Sequence, residues 1–275
     1  MANAKAIYER PLKGLDTLGH ELAFYLRVIA AVPRTISHYP REILRLLAEV
    51  TLGSGALAVI GGTIGVILGM TFFTGAQVGL SGYAALNQLG TAAFAGFVSA
   101  YFNTREIAPL VAGIALAATV GCGFTAQLGA MRISEEVDAL EVMAIPSMRF
   151  LVATRVVAGL VAIVPLYVVG LLSSYVASRL VVTVYYGQSS GTYDHYFNQF
   201  LPPGDVLWSF GKVLVFSVVV ILIHCYHGYT ASGGPAGVGV AVGRAVRTSI
   251  VAINVIDLFL SMAIWGASTT VRLAG

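Results

Sequence analysis

Four long stretches of this chain contain no Lys, Arg, Asp or Glu: 50–104, 107–131, 156–178 and 213–243. Each is at least as long as the roughly 20 residues that a helix needs to cross the hydrocarbon core of a bilayer. Charged residues make up only 11% of the chain, whereas soluble domains average about 25%. The pattern predicts an all-α integral membrane protein, so the rules for a soluble core do not apply.

Six apolar blocks follow one another, and the basic residues between them predict how they cross. The blocks cover about 50–76, 84–104, 107–130, 150–178, 206–230 and 246–271. If all six crossed from a cytoplasmic N-terminus, ten of the sixteen Lys and Arg residues would lie inside; if the second and third formed one crossing, twelve would. The positive-inside rule favours the second arrangement. We predict five transmembrane helices, the second interrupted near Asn103–Pro109, with the N-terminus cytoplasmic and the C-terminus extracytoplasmic.

The first 49 residues differ from the rest, because they carry seven of the sixteen Lys and Arg residues. Segment 14–45 is amphipathic and is interrupted by Pro33 and Pro40, so we predict an N-terminal interfacial helix that lies on the membrane. Residues 50–275 then form the transmembrane domain. Charged residues precede the first apolar stretch and no cleavage pattern follows it, so no signal peptide is expected. The basic residues lie at span ends, which indicates membrane orientation and not nucleic-acid binding.

Small residues recur at four-residue spacing within the apolar blocks. The sets are Gly61/Gly65/Gly69, Ala92/Gly96/Ala100 and Gly239/Gly243. This spacing lets transmembrane backbones approach closely. It predicts tight helix packing, either within one chain or between subunits. Cys122 and Cys225 both lie in apolar runs, which favours buried thiols over a disulfide framework.

Segment 184–203 combines aromatic and polar residues. Tyrosine and phenylalanine recur through it, next to Asp194, His195 and Asn198. Such a mixture is typical of the membrane–water boundary. We predict a short interfacial helix on the outer side, which serves as an aromatic belt or contacts an extracytoplasmic partner.

A short acidic helix is predicted at 133–144, between two apolar blocks. Ser134 suits an N-cap, the acidic residues suit the positive end of the helix dipole, and Pro146 ends the helix. At about 1.5 Å per residue such a helix reaches about 16 Å, too short to cross a bilayer. Its apolar stripe would comprise Ile133, Val137, Leu140 and Ala144. The pattern favours docking in a groove on a basic partner; the alternative is a solvated loop helix without a partner.

Glu106 and Lys212 lie in or beside apolar blocks, where an unpaired charge costs at least about 2.5 kcal/mol. We predict an ion pair that links the interruption in the second crossing to the fourth crossing. The alternative is two independent interfacial charges. His224 and His227 can share a helical face, but no further ligands for a metal are evident, so polar packing is favoured and no metal site is predicted. The glycine-rich segment 233–239 matches neither nucleotide-binding fingerprint.

Four motifs stand out along the chain: Glu106-x-x-Pro109, the run from Thr125 to Arg132, the run from Glu135 to Met143, and His227-Gly228-Tyr229 with the glycine-rich turn. Together they resemble the MlaE/YrbE permease family, the membrane subunits of Mla and Mce lipid ABC transporters. The resemblance extends from about residue 41 to residue 266. The turn at 231–239 and the loop at 187–197 look most like a B-type YrbE permease of an actinobacterial Mce system.

The resemblance implies a bacterial inner-membrane subunit that moves hydrophobic lipids and carries no cofactor of its own. ATP and Mg²⁺ would bind to a cytoplasmic ABC ATPase dimer, docked on the acidic helix through Arg132, Glu135, Glu136, Asp138, Leu140, Glu141 and Met143. The other expected partners are a second, A-type permease and extracytoplasmic MCE-domain proteins that form a lipid tunnel. Fatty acids, mycolic acids, sterols and phospholipids would all fit an apolar cavity between the two permeases.

Five residues of the first span are candidates for this lipid cavity: Leu57, Ile60, Ile64, Phe72 and Phe73. One departure from the family concerns the second crossing. MlaE has an arginine in a Gly-Arg-Ala-Gly run, whereas this chain has Ala-Thr-Val-Gly-Cys-Gly at 118–123. Any role of that arginine in binding or gating therefore does not carry over.

Two other functional classes remain open on the sequence. A proton-coupled secondary transporter would use Glu106 as its proton site, with Asp257 as a second carboxylate, and would purify without a nucleotide-binding subunit. An intramembrane acyl-handling enzyme would use His224 and His227, and the isolated chain would turn over substrate.

Overall fold

A computed structural model describes residues 2–52 and 62–266, and this part of the chain is helical without a strand. From the N-terminus the helices are α1 (Ala2–His38), α2 (Pro40–Leu52), α3 (Thr63–Gln88), α4 (Ala92–Ile133), α5 (Glu136–Val142), α6 (Met148–Tyr185), α7 (Ser190–Gln199), α8 (Pro203–Tyr229) and α9 (Gly234–Trp265). Helices α4 and α6 are composite, because α-helical and π-helical stretches follow one another without a break.

Within the described residues, five helices are long and apolar enough to cross a membrane: α3, α4, α6, α8 and α9. The prediction of five crossings in an all-α membrane fold is therefore confirmed. Helix α4 unites the second and third apolar blocks, as the distribution of basic residues predicted. The last crossing starts at Gly234, well before the predicted boundary at 246, since Arg244 and Arg247 lie within the helix.

Helix α4 is not broken near Asn103–Pro109, so this detail of the prediction is wrong. The chain forms a π-helical turn at Asn103–Ile107 and continues as an α-helix from Ala108. Pro109 then lies at the start of an α-helical stretch, where its missing N–H is tolerated. A helix of 42 residues measures about 60 Å at an α-helical rise, so α4 projects beyond the hydrocarbon core.

The N-terminal region forms two helices rather than segments that end at each proline. Helix α1 continues through Pro33, and the chain changes direction at Tyr39 before α2 begins at Pro40. Phe24, Val28 and Thr35 of α1 are buried, and α1 packs against the start of α6. We attribute the continuity at Pro33 to this packing, which offsets the lost hydrogen bond.

A close helix contact joins α3 to α6. A Cβ atom at Gly75 would lie 2.5 Å from the carbonyl oxygen of Ser174, and the Ser178 hydroxyl donates to the carbonyl oxygen of Gly75 at 2.6 Å. The sequence placed the close approach earlier in α3. However, a Cβ at Gly69 would meet no heavy atom of the described chain within 4 Å, and Gly61 lies outside the described residues.

Helix α9 lies at the edge of the bundle. Its buried side chains are Ala241, Ala245, Ser249 and Ile253. Its large exposed side chains are Val240, Val251, Val255, Leu258, Phe259 and Met262. A Cβ at Gly239 or at Gly243 would meet no described atom within 4 Å. An apolar face of α9 is therefore left for lipid or for another subunit.

Helix α7 lies within the aromatic segment 184–203 and is held by two kinds of contact. Gly96 of α4 lets the α7 backbone approach, because a Cβ there would lie 2.3 Å from the carbonyl oxygen of Tyr193. Arg179 of α6 donates two hydrogen bonds of 2.8 Å to the carboxylate of Asp194. This guanidinium lowers the pKa of Asp194 below its ordinary value, whereas burial raises the pKa of Tyr193 to about 12.

Candidate functional site

The acidic surface helix, α5, is shorter than predicted and begins at Glu136. The Ser134 N–H still donates to the carbonyl oxygen of Ala130 at 3.0 Å, so Ser134 ends α4 and does not cap α5. Glu135 follows with φ 60°, in the left-handed region. The prediction of Ser134 as N-cap is therefore wrong. The Ser134 hydroxyl instead donates to the Glu136 carboxylate at 2.9 Å.

The faces of α5 also differ from the predicted stripe. Val137 is buried and Leu140 packs against the core, so part of the stripe faces the helix bundle itself. The exposed apolar side chains are Val142, 89% exposed, and Met143, 61% exposed. Val142 was not predicted as a docking residue, although it lies beside Met143 at the end of the acidic run.

Two contacts anchor α5 to the rest of the chain. Arg132 forms an ion pair of 2.6 Å with Asp138. The Ser147 hydroxyl donates to the Glu141 carboxylate at 2.6 Å and lies 2.8 Å from the hydroxyl of Tyr229. All four acidic residues of this segment are exposed. Asp138 and Glu141 are held by these two contacts, whereas Glu136 accepts only from the hydroxyl of Ser134 in its own turn. Sequence reasoning missed Ser147 and the role of Tyr229, although Tyr229 belongs to a motif singled out above.

A second candidate site lies within the bundle and centres on Lys212, whose side chain is 0% exposed. Its ammonium group lies 3.3 Å from Glu106 and 2.6 Å from Asp257. It also donates to Ser261 at 2.8 Å and to the carbonyl oxygen of Arg105 at 2.7 Å. The predicted Glu106–Lys212 contact is therefore one part of a larger cluster, in which α9 supplies the closer carboxylate.

An adjacent ion pair extends this cluster. Arg105 lies 2.6 Å from Asp205, and the indole N–H of Trp265 donates to Asp205 at 3.0 Å. The Arg105 guanidinium also lies 4.1 Å from the ring centroid of Tyr101. The charged groups of α4, α8 and α9 thus meet at one level of the bundle, where the π-helical turn of α4 presents Arg105 and Glu106.

The two histidines of α8 have different surroundings. His224 is fully buried, with one ring nitrogen 2.8 Å from the Thr125 hydroxyl and the other 3.3 Å from the Ser249 hydroxyl. It therefore links α4, α8 and α9 as a packed polar group. His227 lines a separate cleft with Arg244. Across residues 2–52 and 62–266, no three His, Cys, Asp or Glu side chains are placed to hold a metal ion.

The candidate lipid-cavity residues fall into three groups. Leu57 and Ile60 lie outside the described residues. Ile64 is partly buried and packs against the main core. Phe72 and Phe73 are exposed on α3, with their rings 5.8 Å apart. Their assignment to a cavity stays a prediction.

Comparison with known protein families assigns this chain to a family. A sequence profile of the family described as Permease MlaE matches residues 53–263. The chain belongs to the MlaE permease family. The match begins after α2, so α1 and α2 lie outside it.

Relatives of this permease agree with that assignment. A probable ABC transporter permease protein of Rickettsia bellii (strain RML369-C) is 29% identical over 258 residues, which cover 94% of this chain and 96% of the relative. The intermembrane phospholipid transport system permease protein MlaE of Haemophilus influenzae is 28% identical and covers 74% of this chain and 78% of its own length. A chloroplastic Arabidopsis thaliana protein, TRIGALACTOSYLDIACYLGLYCEROL 1, is 30% identical, covering 72% and 57%.

The chain is therefore a multi-pass membrane permease subunit of an ABC transporter and is itself non-catalytic. In this class of transporter a separate chain hydrolyses ATP. Two features of this permease stand apart from its apolar helices: the acidic surface helix α5 and the charged cluster around Lys212.

Proposed function

We propose that this permease moves a hydrophobic lipid across the bacterial inner membrane and the cell envelope, driven by an ABC ATPase dimer docked on α5. The observation that carries the proposal is the pair Val142 and Met143, exposed at 89% and 61% beside the acidic residues Glu135 and Glu136. An exposed apolar contact with a charged rim is the usual composition of a protein interface. The ATPase groove is expected to be apolar at its centre and basic at its rim.

Docking alone would not move the bundle, and the contacts of Ser147 supply a path for force. Ser147 joins Glu141 of α5 to Tyr229 at the end of α8. A hydrogen bond to a charged group, as from Ser147 to Glu141, contributes about 1.5–3 kcal/mol, and one between neutral groups, as between Ser147 and Tyr229, contributes about 0.5–1.5 kcal/mol. We propose that displacement of α5 by the ATPase reaches α8 through Ser147, while the start of α6 follows directly along the chain.

The second permease of the transporter is proposed to cover the edge helix α9. That helix exposes Val251, Val255, Leu258 and Phe259, and its open positions Gly239 and Gly243 would let another backbone approach. The resemblance to B-type YrbE permeases supports an A-type permease as the neighbour, with the lipid cavity between the two. MCE-domain proteins are proposed to contact the side that carries α7.

The orientation of the permease follows from the same proposal. If the ATPase docks on α5, the α5 side is cytoplasmic, and so are α1, α2 and the turn between α8 and α9. The C-terminus then lies on the extracytoplasmic side. The distribution of basic residues supports this, since twelve of the sixteen Lys and Arg residues would lie inside.

Co-purification with the ATPase tests the proposal. The chain is expressed with its transporter partners, and ATPase recovered per permease is measured after affinity purification. We expect Glu135→Lys combined with Glu136→Lys to abolish association, because two positive charges would then face a basic groove while the Arg132–Asp138 ion pair stays intact. We expect Val142→Glu combined with Met143→Glu to do the same, because both changes place a charge in the apolar centre of the contact.

A matched control exists on the opposite end of the bundle. Val184 and Tyr185 form another exposed, adjacent apolar pair, and Val184→Glu combined with Tyr185→Glu should leave ATPase recovery unchanged. Equal loss in both pairs would point to general misfolding and not to docking. Normal stoichiometry in the α5 variants would contradict the coupling role of α5.

The other functional classes lose support from the structure and the family. A secondary carrier would not belong to a family of ABC transporter permeases, and its candidate carboxylates Glu106 and Asp257 both contact the Lys212 ammonium group. An acyl-handling site is disfavoured because His224 is hydrogen-bonded through both ring nitrogens inside the bundle.

A further inference from the structure

A basic cleft lies between α1 and the turn that follows α5. Its volume is about 300 Å³, and Arg27, Arg34 and Arg149 supply its charged groups. Ala30, Ala31 and Pro146 form much of the remaining wall. The cleft thus brings together two arginines of the N-terminal helix and one from the start of α6.

The three guanidinium groups have no counter-charge within the described residues. No acidic side chain lines the cleft, and in this part of the chain none of the three arginines forms an ion pair. Arg27 uses one N–H to bond the carbonyl oxygen of Ala23 at 3.1 Å, which leaves its other donors available. Like charges gathered on one cleft repel each other, so the site favours an anion that can bridge them.

The position of the cleft around α1 indicates where that anion lies. Helix α1 buries Phe24, Val28 and Thr35 against the bundle. On another face it exposes the apolar side chains Leu22, Leu26, Ile29 and Ile36. At 3.6 residues per turn, Arg27 and Arg34 share one side of the helix, about 90° from the buried face and about 135° from the centre of the exposed apolar face. An interfacial helix immerses its apolar face among acyl chains, so its flanking arginines lie at the level of the lipid headgroups.

We propose that this cleft binds the phosphate group of an anionic phospholipid in the leaflet on the α5 side. Guanidinium groups present paired donors that match phosphate oxygens. The volume is at the lower limit for small-molecule pockets, which suits a headgroup while the acyl chains extend along the apolar face of α1. The site is a fixed structural lipid site, separate from the transported cargo, and does not depend on the proposed ATPase docking.

The bound headgroup would connect two parts of the permease. Arg149 lies two residues after Ser147, which contacts Glu141 of α5. A phosphate held by Arg149 together with Arg27 and Arg34 would fasten α1 to the segment between α5 and α6. The lipid would therefore steady the interfacial helix against the element that connects α5 to the bundle.

Lipid retention by the full-length chain tests the site. The permease is placed in nanodiscs that contain equal amounts of phosphatidylglycerol and phosphatidylcholine, and tightly retained lipid is counted by native mass spectrometry. We expect one retained phosphatidylglycerol in the wild type. Arg149→Gln should weaken its retention by about fivefold, the effect of removing one basic residue near an anionic surface, and Arg149→Lys should weaken it less.

The control is Arg41→Gln, which removes one exposed positive charge from α2, outside the cleft. It should leave the retained lipid unchanged, and all variants should elute and melt like the wild type. Equal effects of Arg149→Gln and Arg41→Gln would overturn the proposal. So would binding of inorganic phosphate to the lipid-free chain without retention of phosphatidylglycerol.

Discussion

The ammonium group of Lys212 lies 2.6 Å from a carboxylate oxygen of Asp257, inside the helix bundle. Asp257 belongs to α9 and Lys212 to α8, so this ion pair ties the edge helix to the interior. Glu106 is the more distant partner at 3.3 Å. Helix α9 buries little of its surface, and this contact is therefore a principal polar attachment of that helix to the described bundle.

The first prediction concerns this cluster. Lys212→Met leaves two carboxylates without their cation and should destabilise the fold by about 3–5 kcal/mol, the cost of breaking a buried ion pair. Adding Asp257→Asn should recover part of the loss, because it removes one of the unpaired charges. The measurement is the unfolding midpoint of the purified chain. Additive losses in the double variant would mean that the two residues are not coupled.

The second prediction concerns the contact between α3 and α6. Gly75→Ala places a methyl group 2.5 Å from the Ser174 carbonyl oxygen and should destabilise the chain by about 1–3 kcal/mol, as overpacking does. Gly69→Ala is the matched control, since its methyl group would meet no described atom within 4 Å. The measurement is the thermal unfolding midpoint of both variants. Equal midpoints would contradict the prediction, because the contact at Gly75 would then accept a methyl group without cost.

The third prediction concerns force transmission and rests on the proposed function. Ser147→Ala removes the hydroxyl between Glu141 and Tyr229. The assembled transporter should then keep its ATPase subunit but transport lipid several-fold more slowly, because α5 is no longer linked to α8. Ser134→Ala is the control, since that hydroxyl bonds within its own turn and to Glu136. An unchanged transport rate in Ser147→Ala would exclude this path.

The fourth prediction concerns pH and helix α7. The Arg179 guanidinium holds the pKa of Asp194 below its ordinary value. Stabilisation by the pair is therefore present above that ordinary value, near pH 4, and is lost as the pH falls through the lowered pKa. The melting temperature of Asp194→Asn should lie slightly below that of the wild type from pH 8 to about pH 5, and the difference should vanish in stronger acid.

Asn198→Ser, elsewhere in α7, serves as the control for this pH series and should follow the wild type throughout. If the difference between Asp194→Asn and the wild type disappeared between pH 7 and pH 6 instead, a histidine such as His195 would be responsible, and the carboxylate would not.

The sequence predicts the crossings well because each depends on a simple physical quantity. The uncharged runs fix the five helices through the cost of burying charge in lipid, and the basic residues correctly merge the blocks before and after Asn103 into one crossing. The same reasoning could not distinguish a π-helical turn from a break. Both interrupt the regular hydrogen bonding near Pro109, and only packing of α4 against its neighbours decides between them.

At the candidate sites, too, the sequence predicts some features, and others depend on tertiary structure. The sequence identifies the acidic run and the intramembrane charges, because charges in an apolar chain stand out. It cannot supply the partners that tertiary structure brings together, such as Ser147 with Tyr229 or Asp257 with Lys212, which are distant along the chain. Glycine spacing is similarly ambiguous: Gly69 fits the expected pattern, whereas the close contact forms at Gly75.

The most direct test of the account is site-specific cross-linking from α5 to the ATPase. Val142→Cys is introduced after Cys122 and Cys225, the two free cysteines, are replaced by alanine, and a short reagent that joins a thiol to an amine is added to the assembled transporter. Val184→Cys, which is also highly exposed but lies at the other end of the bundle, is the control. The account predicts a cross-link to the ATPase from Val142→Cys and none from Val184→Cys; a cross-link from Val184→Cys alone would contradict it.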